Sequence, residues 1–393
     1  MSFPYPPKSG GKVRVFNLIK EISKYHDVYL LSLASKDELD FVPVMLKYCK
    51  TVEIVPFEHN ILSRLIRWVR IFSNLFTQVP IEVAAKESTG MKKKVKTIID
   101  NGLDLIQVEW LQMAQYLPFH LLKNTPLILT EHDVAYVPLK RRSLTEIGIL
   151  KYIMRRECYK MKNYEQETCH RFNKIISVSD LDKERLLKLS EDLDVYVVPN
   201  GVNTHYISPK TDHEDTGSLL YIGWMKHYPN RDAMLFFLKQ VFPLIIKEVP
   251  NTKVFIVGQY APEEILSLAK SNPNIVCTGY VEDVREYLHK CTVYICPLRI
   301  GGGTRLKILE AMAAGIPIVS TTIGAEGLSV KHGENILLSD SADTFAKETI
   351  SLLNNPELRL KLAKSARNFV EQNYDWEMIA QKQMAVYDLL VKK

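Results

Sequence analysis

One stretch of this sequence, residues 293–328, limits the possible folds more than any other. An apolar run, Val293–Cys296, is followed by three consecutive glycines at 301–303 and by a helical pattern over 304–314. A glycine and a proline then end the helix, and a β-branched apolar run occupies 316–320. We therefore predict a strand, a glycine loop, a helix and a second strand, which is the repeating unit of a parallel α/β sheet.

The glycine loop and the helix start suit a phosphate group. Glycine lets a ligand approach the main chain closely, and the first N–H groups of a helix carry partial positive charge. Arg305 and Lys307 add two cations in the first turn, where they oppose the helix dipole, so a bound anion would resolve the conflict. Glu310 follows on the same helix and is a good acceptor for sugar hydroxyls. Together they indicate a nucleotide diphosphate whose ribose meets Glu310; the alternative is an ordinary strand, loop and helix with a solvated Arg and Lys.

Several segments resemble one known family. GGGTRLKILEAMAAGIPIVST, followed by GAEGL, resembles the donor-site signature of the retaining glycosyltransferases of family 4, which have the GT-B fold. SFPYPPKSGGKVR resembles the N-terminal glycine loop of that family, and VVPNGVNTHYISP resembles the segment that ends its first domain. LLYIG, VFIVG and VCTGYVEDVREYL resemble its second-domain strands. The resemblance runs nearly end to end and implies an α/β fold of two facing, Rossmann-like, doubly wound domains with a cleft between them.

The resemblance also implies the domain boundaries. Residues 1–207 would form an N-terminal acceptor-side domain and residues 208–375 a C-terminal domain that binds the nucleotide sugar, with a polar linker over 208–217. The C-terminal helix, 376–393, is expected to pack back on the first domain. The family opens with a short apolar strand before the glycine loop, whereas this sequence starts at the loop. Either the start of the sequence is misassigned or trimmed, or this protein lacks a strand that is central in such a sheet.

Three positions of this sequence correspond to the catalytic pattern of the family: two match it and one departs from it. Glu310 matches the second of two glutamates eight positions apart, whose implied role is binding the ribose hydroxyls. Gly302 stands where the first glutamate would touch the donor sugar, so main-chain amides of the triple glycine would replace that glutamate. His132 matches the family histidine near the sugar and phosphate; the alternative is a strand-end histidine capped by Asp133, a residue that equally suits a helix cap. The predicted catalytic residues are His132, Arg305 and Lys307.

The donor site departs from the family in its cations. The Arg and Lys that the family places after the first strand of the second domain are replaced by Trp224 and Asn230, with Lys226 between them. We predict that Arg305 and Lys307 carry the diphosphate charge instead. The full predicted donor-binding set is Gly11, Gly223, Lys226, Asn230, Tyr280, Val281, Gly301, Gly302, Gly303, Thr304, Arg305, Lys307, Glu310, Gly324 and Glu326.

No metal and no other cofactor is predicted. Asp180-Leu-Asp182 and Asp192-Leu-Asp194 match the metal-binding DxD pattern formally, but the first pair reads as a helix start and the second as a turn before a strand. The six cysteines show neither a paired metal spacing nor a disulfide framework. The charge of the leaving group must then be met by basic residues and helix N–H groups.

The charge distribution suggests an anionic partner for the first half. All of the net charge of +6 lies in residues 1–205, which hold 30 Lys and Arg against 24 Asp and Glu. The segment from Ile61 to Phe76 has an apolar side and three arginines at a spacing of three, which favours a helix in an anionic membrane interface; the alternative is a surface helix packed on its own domain. The segment 141–171 is a long, basic, helix-like run that either adds to this patch or is a solvated face.

Other partner classes are disfavoured. The sequence lacks the interleaved basic and aromatic residues of nucleic-acid modules. No apolar run reaches the roughly 20 residues that span a bilayer, and no signal peptide opens the sequence. The predicted location is therefore cytoplasmic, at the inner face of the membrane if the 61–76 helix binds there.

The sequence thus predicts a retaining, metal-independent glycosyltransferase. It would move a sugar from a nucleotide-diphosphate sugar to a hydroxyl of a glycan or lipid-linked acceptor, in cell-surface polysaccharide or glycolipid biosynthesis. No carboxylate nucleophile is evident in the motifs, and front-face attack by that hydroxyl is what the resemblance to the family implies. Two alternatives stay open: a non-catalytic nucleotide-sugar-binding protein, favoured by Gly302 and the absent first strand, and a nucleotide-sugar epimerase of the same architecture.

Overall fold

The chain folds into two compact units. The computed structural model describes residues 3–56, 77–100, 102–122, 124–209, 217–301 and 304–391. The first unit comprises Met1–Pro199 and Trp376–Lys393, and the second comprises Asn200–Asp375. Four sequence predictions lie outside the described residues: the membrane-interface helix from Ile61 to Phe76, Gly302, Gly303 and most of the polar linker.

The first unit contains two parallel sheets, one of two strands and one of four. Among the described strands, β1 pairs only with β2, and the other sheet has the sequence order β3-β4-β5-β6. The strands are β1 (Tyr29–Ala34), β2 (Thr51–Pro56), β3 (Ile106–Glu109), β4 (Leu127–Glu131), β5 (Lys174–Ser177) and β6 (Val195–Val197).

Helices pack on both faces of the four-stranded sheet because its strands are apolar on both faces. In β4, Ile128 and Leu129 are both fully buried and belong to different core clusters on opposite faces. The helices of this part are α1 (Gly10–Ile22), α2 (Val42–Met45), α3 (Ile81–Ala84), α4 (Thr89–Ile99), α5 (Tyr136–Thr145), α6 (Gly148–Cys169) and α7 (Asp180–Leu187), with 3₁₀ segments at Lys36–Phe41, Leu111–Tyr116 and Phe119–Leu121.

The basic, helix-like run over 141–171 is helical, but in two pieces. The chain leaves α5 after Thr145 and begins α6 at Gly148, which has a φ of 60°. That left-handed conformation is open to glycine but interrupts an α-helix. The basic side chains of this run therefore lie on two helices.

The second unit is built on one six-stranded parallel sheet with the order β12-β11-β10-β7-β8-β9. Its strands are β7 (Ser218–Ile222), β8 (Lys253–Val257), β9 (Ile275–Gly279), β10 (Val293–Cys296), β11 (Ile318–Ser320) and β12 (Leu337–Leu338). Its helices are α8 (Tyr228–Phe236), α9 (Phe242–Glu248), α10 (Glu263–Ser271), α11 (Arg285–Lys290), α12 (Leu306–Ala313), α13 (Ala342–Asn354) and α14 (Pro356–Asn373), with a π-helical turn at Phe237–Val241.

The stretch 293–328 folds, as predicted, into a strand, a loop, a helix and a second strand. β10 has the predicted bounds, and α12 begins at Leu306, two residues later than expected. The shift arises because Arg305 has an extended conformation, φ −89° and ψ 94°, and takes the N-cap position. Gly315, with a φ of 68°, follows the end of α12.

The last helix, α15 (Trp376–Asp388), belongs to the first unit. Its Trp376 and Ile379 are buried in one cluster with Leu18 and Ile22 of α1. None of the helices in the described part of the chain combines the length and the apolar character that crossing a membrane requires.

Candidate functional site

The strand order of the second unit brings two glycine loops together. From β7 the chain passes to β8 and β9 on one side and then returns to β10 on the other side. The loops after β7 and β10 therefore leave the sheet in opposite directions and open a crevice at its carboxyl edge, where open α/β sheets bind ligands. Gly223 begins the first loop, Gly301 lies in the second, and the N-terminus of α12 follows.

Lys307 ties the two loops together. Its Nζ donates a hydrogen bond of 2.7 Å to the carbonyl oxygen of Ile222, the last residue of β7. Burial lowers the pKa of Lys307 to about 8; the Glu310 carboxylate opposes this shift and the Arg305 guanidinium adds to it. The alternative of a solvated lysine is therefore wrong. A desolvated ammonium beside a second cation is stabilised by an anion that binds there.

Arg305 and its neighbours shape the second loop. Gly301 has a φ of 128°, which other residues rarely adopt, and a Cβ atom there would overlap the Arg305 guanidinium. The Thr304 hydroxyl is buried and has no hydrogen-bond partner within the part of the chain that the structure describes. A buried hydroxyl in this state gains a hydrogen bond when a ligand oxygen comes within reach.

His227 joins these cations, although the sequence analysis did not single it out. Burial and the positive charges of Arg305 and Lys307 lower its pKa. It precedes the first residue of α8, and its carbonyl oxygen accepts a hydrogen bond of 3.1 Å from the Asn230 N–H. Three basic side chains from two loops thus converge at the reversal of strand order. The sequence did offer a sign of His227, since it directly follows Lys226 in a loop that is expected to face the donor.

Two polar side chains hold these loops in place. Asn230, a predicted donor-binding residue, accepts a hydrogen bond from the Tyr221 hydroxyl and donates one to the Trp224 carbonyl oxygen, both at 2.9 Å. Arg299 donates two hydrogen bonds, of 3.1 and 2.7 Å, to the Asp232 carboxylate and so joins the loop after β10 to α8. The oxygen and the nitrogen of the Asn230 side-chain amide therefore both form hydrogen bonds that shape the loop.

Other predicted donor residues border the same carboxyl edge. Glu310 is partly buried; burial raises the pKa of its carboxyl group, and Lys307 opposes that shift. The Gly223 N–H donates to the Val257 carbonyl oxygen at 2.8 Å, which joins the loop after β7 to the end of β8. The Lys226 ammonium lies 5.1 Å from the centre of the Tyr260 ring and so points toward the loop after β8.

The remaining predicted donor residues lie in the loops after β9 and β11. Tyr280 is exposed, whereas Val281 packs against the apolar core. The Gly324 N–H donates to the Thr321 hydroxyl at 2.8 Å, and Glu326 in the same loop is partly buried.

In the first unit, His132 lies at the end of β4 beside the end of β3. Its Nε2 atom is 2.6 Å from Oε2 of Glu109, and its ring stacks on Trp110 with 3.6 Å between centroids and 6° between planes. Burial lowers the pKa of His132, and the Glu109 carboxylate partly offsets that shift. The pKa of Glu109 is itself lowered, because His132 and Arg14 outweigh the opposing effect of burial.

The stack explains the glycine at position 11. Trp110 has a φ of 72°, a conformation that is rare for a large side chain. A Cβ atom on Gly11 would overlap the Trp110 ring. Gly11, predicted to approach the donor, therefore makes room for the tryptophan that packs on His132.

A buried arginine completes this pocket. Arg14 is fully buried, and its Nη1 donates to the Pro199 carbonyl oxygen at 2.7 Å. Burial lowers the pKa of Arg14 to about 10, and the Glu109 charge opposes that shift. No sequence motif marked Arg14, Glu109 or Trp110 as site residues. The available signal was that β3 and β4 are consecutive parallel strands, so the residues that end them meet at one edge.

The family follows from two sequence models. One described as Glycosyltransferase Family 4 matches residues 8–206, and one described as Glycosyl transferases group 1 matches residues 216–355. The chain belongs to glycosyltransferase family 4.

Two bacterial proteins are relatives of this glycosyltransferase over different lengths of the chain. An uncharacterized 44.6 kDa protein in the cps region of Klebsiella pneumoniae is 24% identical over 388 residues, 95% of this chain and 94% of that protein. The capsular polysaccharide biosynthesis glycosyltransferase CapM of Staphylococcus aureus is 23% identical over 170 residues, which cover 42% of this chain and 44% of CapM.

A solved structure confirms the fold. Anabaena Alr3699/HepE, crystallised in complex with UDP and glucose, aligns with a TM-score of 0.67 and 14% identity over 99% of this chain and 98% of that one. At this identity the likeness shows the fold alone. The prediction of a two-domain, Rossmann-like GT-B fold is confirmed.

The formal DxD matches of this glycosyltransferase have structural roles. Asp180 begins α7, and the Ser179 side chain accepts a hydrogen bond of 3.1 Å from the Asp182 N–H, so the helix-start interpretation is confirmed. Asp192 contacts His170 at 3.2 Å before β6. Within the described ranges, no three His, Cys, Asp or Glu side chains are grouped in a way that could hold a metal ion.

Asp133 is not the residue that caps the next helix. The N–H groups of Ala135 and Tyr136, at the start of α5, donate to the Glu165 carboxylate at 2.6 and 3.2 Å. Burial raises the pKa of Glu165 to about 8, and these hydrogen bonds oppose that shift.

Proposed function

We propose that this glycosyltransferase uses a nucleotide-diphosphate sugar as donor and binds it in the second unit, at the loops after β7 and β10. The observation that supports this most directly is the convergence of His227, Arg305 and Lys307 where the strand order reverses. The diphosphate would lie against these cations and the first N–H groups of α12. Glu310, on the same helix, would accept hydrogen bonds from the ribose hydroxyls.

We propose further that transfer is metal-independent and retains the anomeric configuration. As the bond between sugar and phosphate breaks, negative charge grows on the departing diphosphate. Arg305, Lys307 and the start of α12 are fixed in advance around the loop that would hold it, so they stabilise that charge without reorganising. We assign no carboxylate nucleophile, and the acceptor hydroxyl then attacks from the face that the diphosphate leaves.

His132 is the proposed catalytic residue of the first unit. Glu109 engages Nε2 and the Trp110 ring covers one face of the imidazole, which leaves Nδ1 for a hydrogen bond to substrate. A carboxylate on one ring nitrogen fixes both the tautomer and the orientation of a histidine. The role of Glu109 is thus to position His132.

For the acceptor, we propose a glycan or lipid-linked precursor of a surface polysaccharide. The Klebsiella relative is a protein in the cps region, and the Staphylococcus relative is a capsular polysaccharide biosynthesis glycosyltransferase. The excess positive charge of residues 1–205 agrees with an anionic acceptor or membrane surface.

The test begins with donor binding. Purified protein is heated with UDP-, GDP- and ADP-sugars and with the matching nucleoside monophosphates. We expect one nucleotide-diphosphate sugar to raise the melting temperature by a few degrees, as about 100-fold saturation over Kd stabilises by about 2.7 kcal/mol. The monophosphate of the same base should stabilise much less. Equal stabilisation by the two would contradict a diphosphate site.

Catalysis is then measured with the stabilising donor, in the presence of EDTA. Slow donor hydrolysis, or transfer to an acceptor with retained configuration, is the expected result. Binding without either reaction would favour the non-catalytic alternative, and a new sugar nucleotide formed without acceptor would favour the epimerase. Activity that EDTA abolishes and Mg²⁺ restores would contradict metal independence.

A further inference from the structure

The carboxyl edge of the second unit carries exposed aromatic side chains beside the proposed diphosphate site. We propose that Trp224, Tyr260 and Lys226, which we call the aromatic shelf, bind a pyranose ring that carries a carboxylate. That this sugar belongs to the acceptor glycan rests on the proposed function, whereas the binding itself does not. Five aromatic side chains are exposed in the described part of this unit, and four of them follow β7, β8 and β9: Trp224, Tyr228, Tyr260 and Tyr280.

The shelf begins next to the loop that would hold the diphosphate and extends away from it. Trp224 lies two positions after Ile222, whose carbonyl oxygen accepts the hydrogen bond from Lys307. Tyr260 lies in the loop after β8, and β8 is on the side of β7 away from β10. A sugar ring held on the shelf would therefore lie beside the crevice and leave the space assigned to the diphosphate free.

The main chain holds the loops after β7 and β8 against each other. The Met225 N–H donates a hydrogen bond of 3.0 Å to the carbonyl oxygen of Gln259. Gly258 has a φ of 146°, and a Cβ atom there would overlap the carbonyl oxygen of Gly223. Because the two loops fit so closely, the rings of the shelf are held in fixed relative positions, which a site for a rigid sugar ring requires.

Tyr260 has a main-chain conformation that a large side chain rarely adopts. Its φ is 64°, and among the described residues other than glycine only Trp110 also has a positive φ. Trp110 stacks on His132 in the first unit and so belongs to a pocket. Strained conformations of this kind cluster at binding sites. The Tyr260 side chain is exposed, so burial in the core does not account for its strain.

The rings of Trp224 and Tyr260 form two walls of a corner. Their centroids are 6.2 Å apart and their planes meet at 79°. The Trp224 side chain is 52% exposed and that of Tyr260 is 59% exposed, so a ligand can reach both. An aromatic face carries partial negative charge and attracts the C–H groups on the apolar face of a pyranose ring. The corner therefore suits a sugar ring.

Lys226 adds a positive charge to this corner. Its Nζ lies 5.1 Å from the centre of the Tyr260 ring, and within the described ranges no carboxylate pairs with it. By contrast Arg285, which lies over the exposed Tyr206 ring at 3.9 Å, donates a hydrogen bond of 2.8 Å to Asp283. An unpaired cation beside aromatic rings suits a ligand with both an apolar face and an anion. A nucleotide base offers a ring without a negative charge at neutral pH, so these contacts favour a uronic acid.

The test is an NMR titration of the whole chain with isotope-labelled indole N–H groups. The probes are tetragalacturonate and a hyaluronan tetrasaccharide, with the methyl ester of tetragalacturonate as the neutral comparison. We expect at least one acidic probe to shift the Trp224 signal, which is assigned by its absence from Trp224→Ala. The signal of Trp376, which is buried in the first unit, should stay unchanged.

Substitutions then test each member of the shelf by isothermal titration calorimetry with the acidic probe that binds. Trp224→Ala should weaken binding about tenfold, because the ring contact is lost. Lys226→Gln should weaken it about two- to fivefold, a loss that the neutral ester should not show. Tyr260→Gly should weaken binding without lowering the melting temperature, because glycine adopts a φ of 64° without strain. A residue with a purely structural role would not give that combination.

Tyr206→Ala is the matched control, since it removes an exposed aromatic ring whose neighbouring cation is already paired. It should leave the affinity for the acidic probe unchanged. If neither acidic probe shifts the Trp224 signal, or if wild type and Trp224→Ala bind the probe equally, the proposal is overturned.

Nucleoside monophosphates test the other occupant. If Trp224→Ala weakens the binding of uridine, guanosine or adenosine monophosphate and leaves the affinity for the acidic tetrasaccharides unchanged, the shelf holds the donor base and the glycan is rejected. The glycan titrations contain no donor, so their result is independent of the donor-binding test. A donor that binds while no glycan does would reject the shelf and leave the proposed function intact.

Discussion

The buried basic side chains of the two units have different electrostatic surroundings. In the first unit, His132 has a carboxylate partner at 2.6 Å, and the same Glu109 charge favours the cationic form of the buried Arg14. In the second unit, burial and then the charges of Arg305 and Lys307 lower the pKa of His227. Burial also lowers the pKa of Lys307; Glu310 partly opposes that shift, and Arg305 adds to it.

The pocket of the first unit therefore contains the carboxylate that balances its cations, whereas the cations of the second unit would gain from a bound anion. The positive charge around His132 is balanced within the protein, so its geometry is set before any substrate binds. At the loops after β7 and β10, burial and neighbouring cations disfavour the charged forms of His227 and Lys307, and Glu310 offsets this only in part for Lys307. A bound diphosphate would favour those charged forms. Charge balance therefore favours the proposed anion site in the second unit more directly than the glycine motif does, and it suggests changes that would break the contrast.

The change with the largest expected effect removes a cation from the second unit. Lys307→Met keeps much of the length of the side chain but loses its charge and its hydrogen bond to the Ile222 carbonyl oxygen. We expect the affinity for the nucleotide-diphosphate sugar to fall about 10- to 100-fold, since a hydrogen bond to a charged group contributes about 1.5–3 kcal/mol. Isothermal titration calorimetry measures the change.

Lys239→Met is the matched control for this substitution. Lys239 forms an exposed ion pair with Glu264 in the same unit, and the sequence places it outside the loops after β7 and β10. Its loss should leave donor affinity unchanged, because exposed ion pairs contribute little. Equal affinities for wild type and Lys307→Met would show that the loop cations do not hold the diphosphate.

An effect of similar size is expected from removing the carboxylate that balances the first unit. Glu109→Gln keeps a hydrogen-bonding group beside His132 but removes the negative charge that favours its protonated form. The pKa of His132 should therefore fall further below its ordinary value, which NMR titration of the ring measures. Transfer should slow by about 10- to 100-fold, as expected when a reacting group loses its fixed position.

The control for Glu109→Gln is Glu146→Gln, which removes a carboxylate paired with Arg142 at 2.8 Å on the surface of the same unit. It should leave the His132 titration unchanged. A His132 pKa that is the same in Glu109→Gln as in wild type would mean that this carboxylate does not control the histidine. The titration uses ligand-free protein, so it stands apart from the question of which sugar is transferred.

The sequence was informative where the signal was local. The apolar run of β10 and the glycine that ends α12 were readable because each depends on neighbouring residues, and β10 has the predicted bounds. Arg299 and Asp232 are 67 positions apart, and Glu109 and His132 are 23 apart. Such pairs form only once strand order and register are fixed, so a single sequence gives no direct sign of them.

The same limit explains what was missed around Lys307. The sequence showed its charge and its place in the first turn of α12, but its hydrogen bond to Ile222 requires β7 and β10 to be neighbours. Burial in that crevice is what lowers its pKa to about 8. Motif and composition predicted a cation, whereas only the sheet order reveals that the cation is desolvated.

The smallest expected effect is a pH dependence that follows from this desolvation. The pKa of Lys307 is about 8 in the ligand-free protein, and a bound diphosphate should raise it, so binding takes up a proton as the pH passes 8. If the bound pKa is well above 9, donor affinity should fall about tenfold from pH 7 to pH 9, because the protonated fraction falls by that factor. The diphosphate of a nucleotide sugar does not titrate in this range, and the same measurement on Lys307→Met corrects for ionisation of the base.

Lys307→Met should flatten the affinity profile between pH 7 and pH 9. In the free enzyme the sign is opposite: unfolding lets Lys307 bind a proton more tightly, so wild-type stability relative to Lys307→Met should rise between pH 8 and 10.5. His227, whose pKa is lowered, titrates on the acid side of this window and does not contribute to it.

A wild-type affinity that is constant from pH 7 to pH 9 would mean that the lysine stays charged with or without donor. The proposed contrast between a first unit whose buried positive charge is balanced and a second unit whose buried positive charge is not would then be wrong. A lysine with its ordinary pKa is not destabilised by its surroundings, so a bound diphosphate would have no unfavourable charge to relieve.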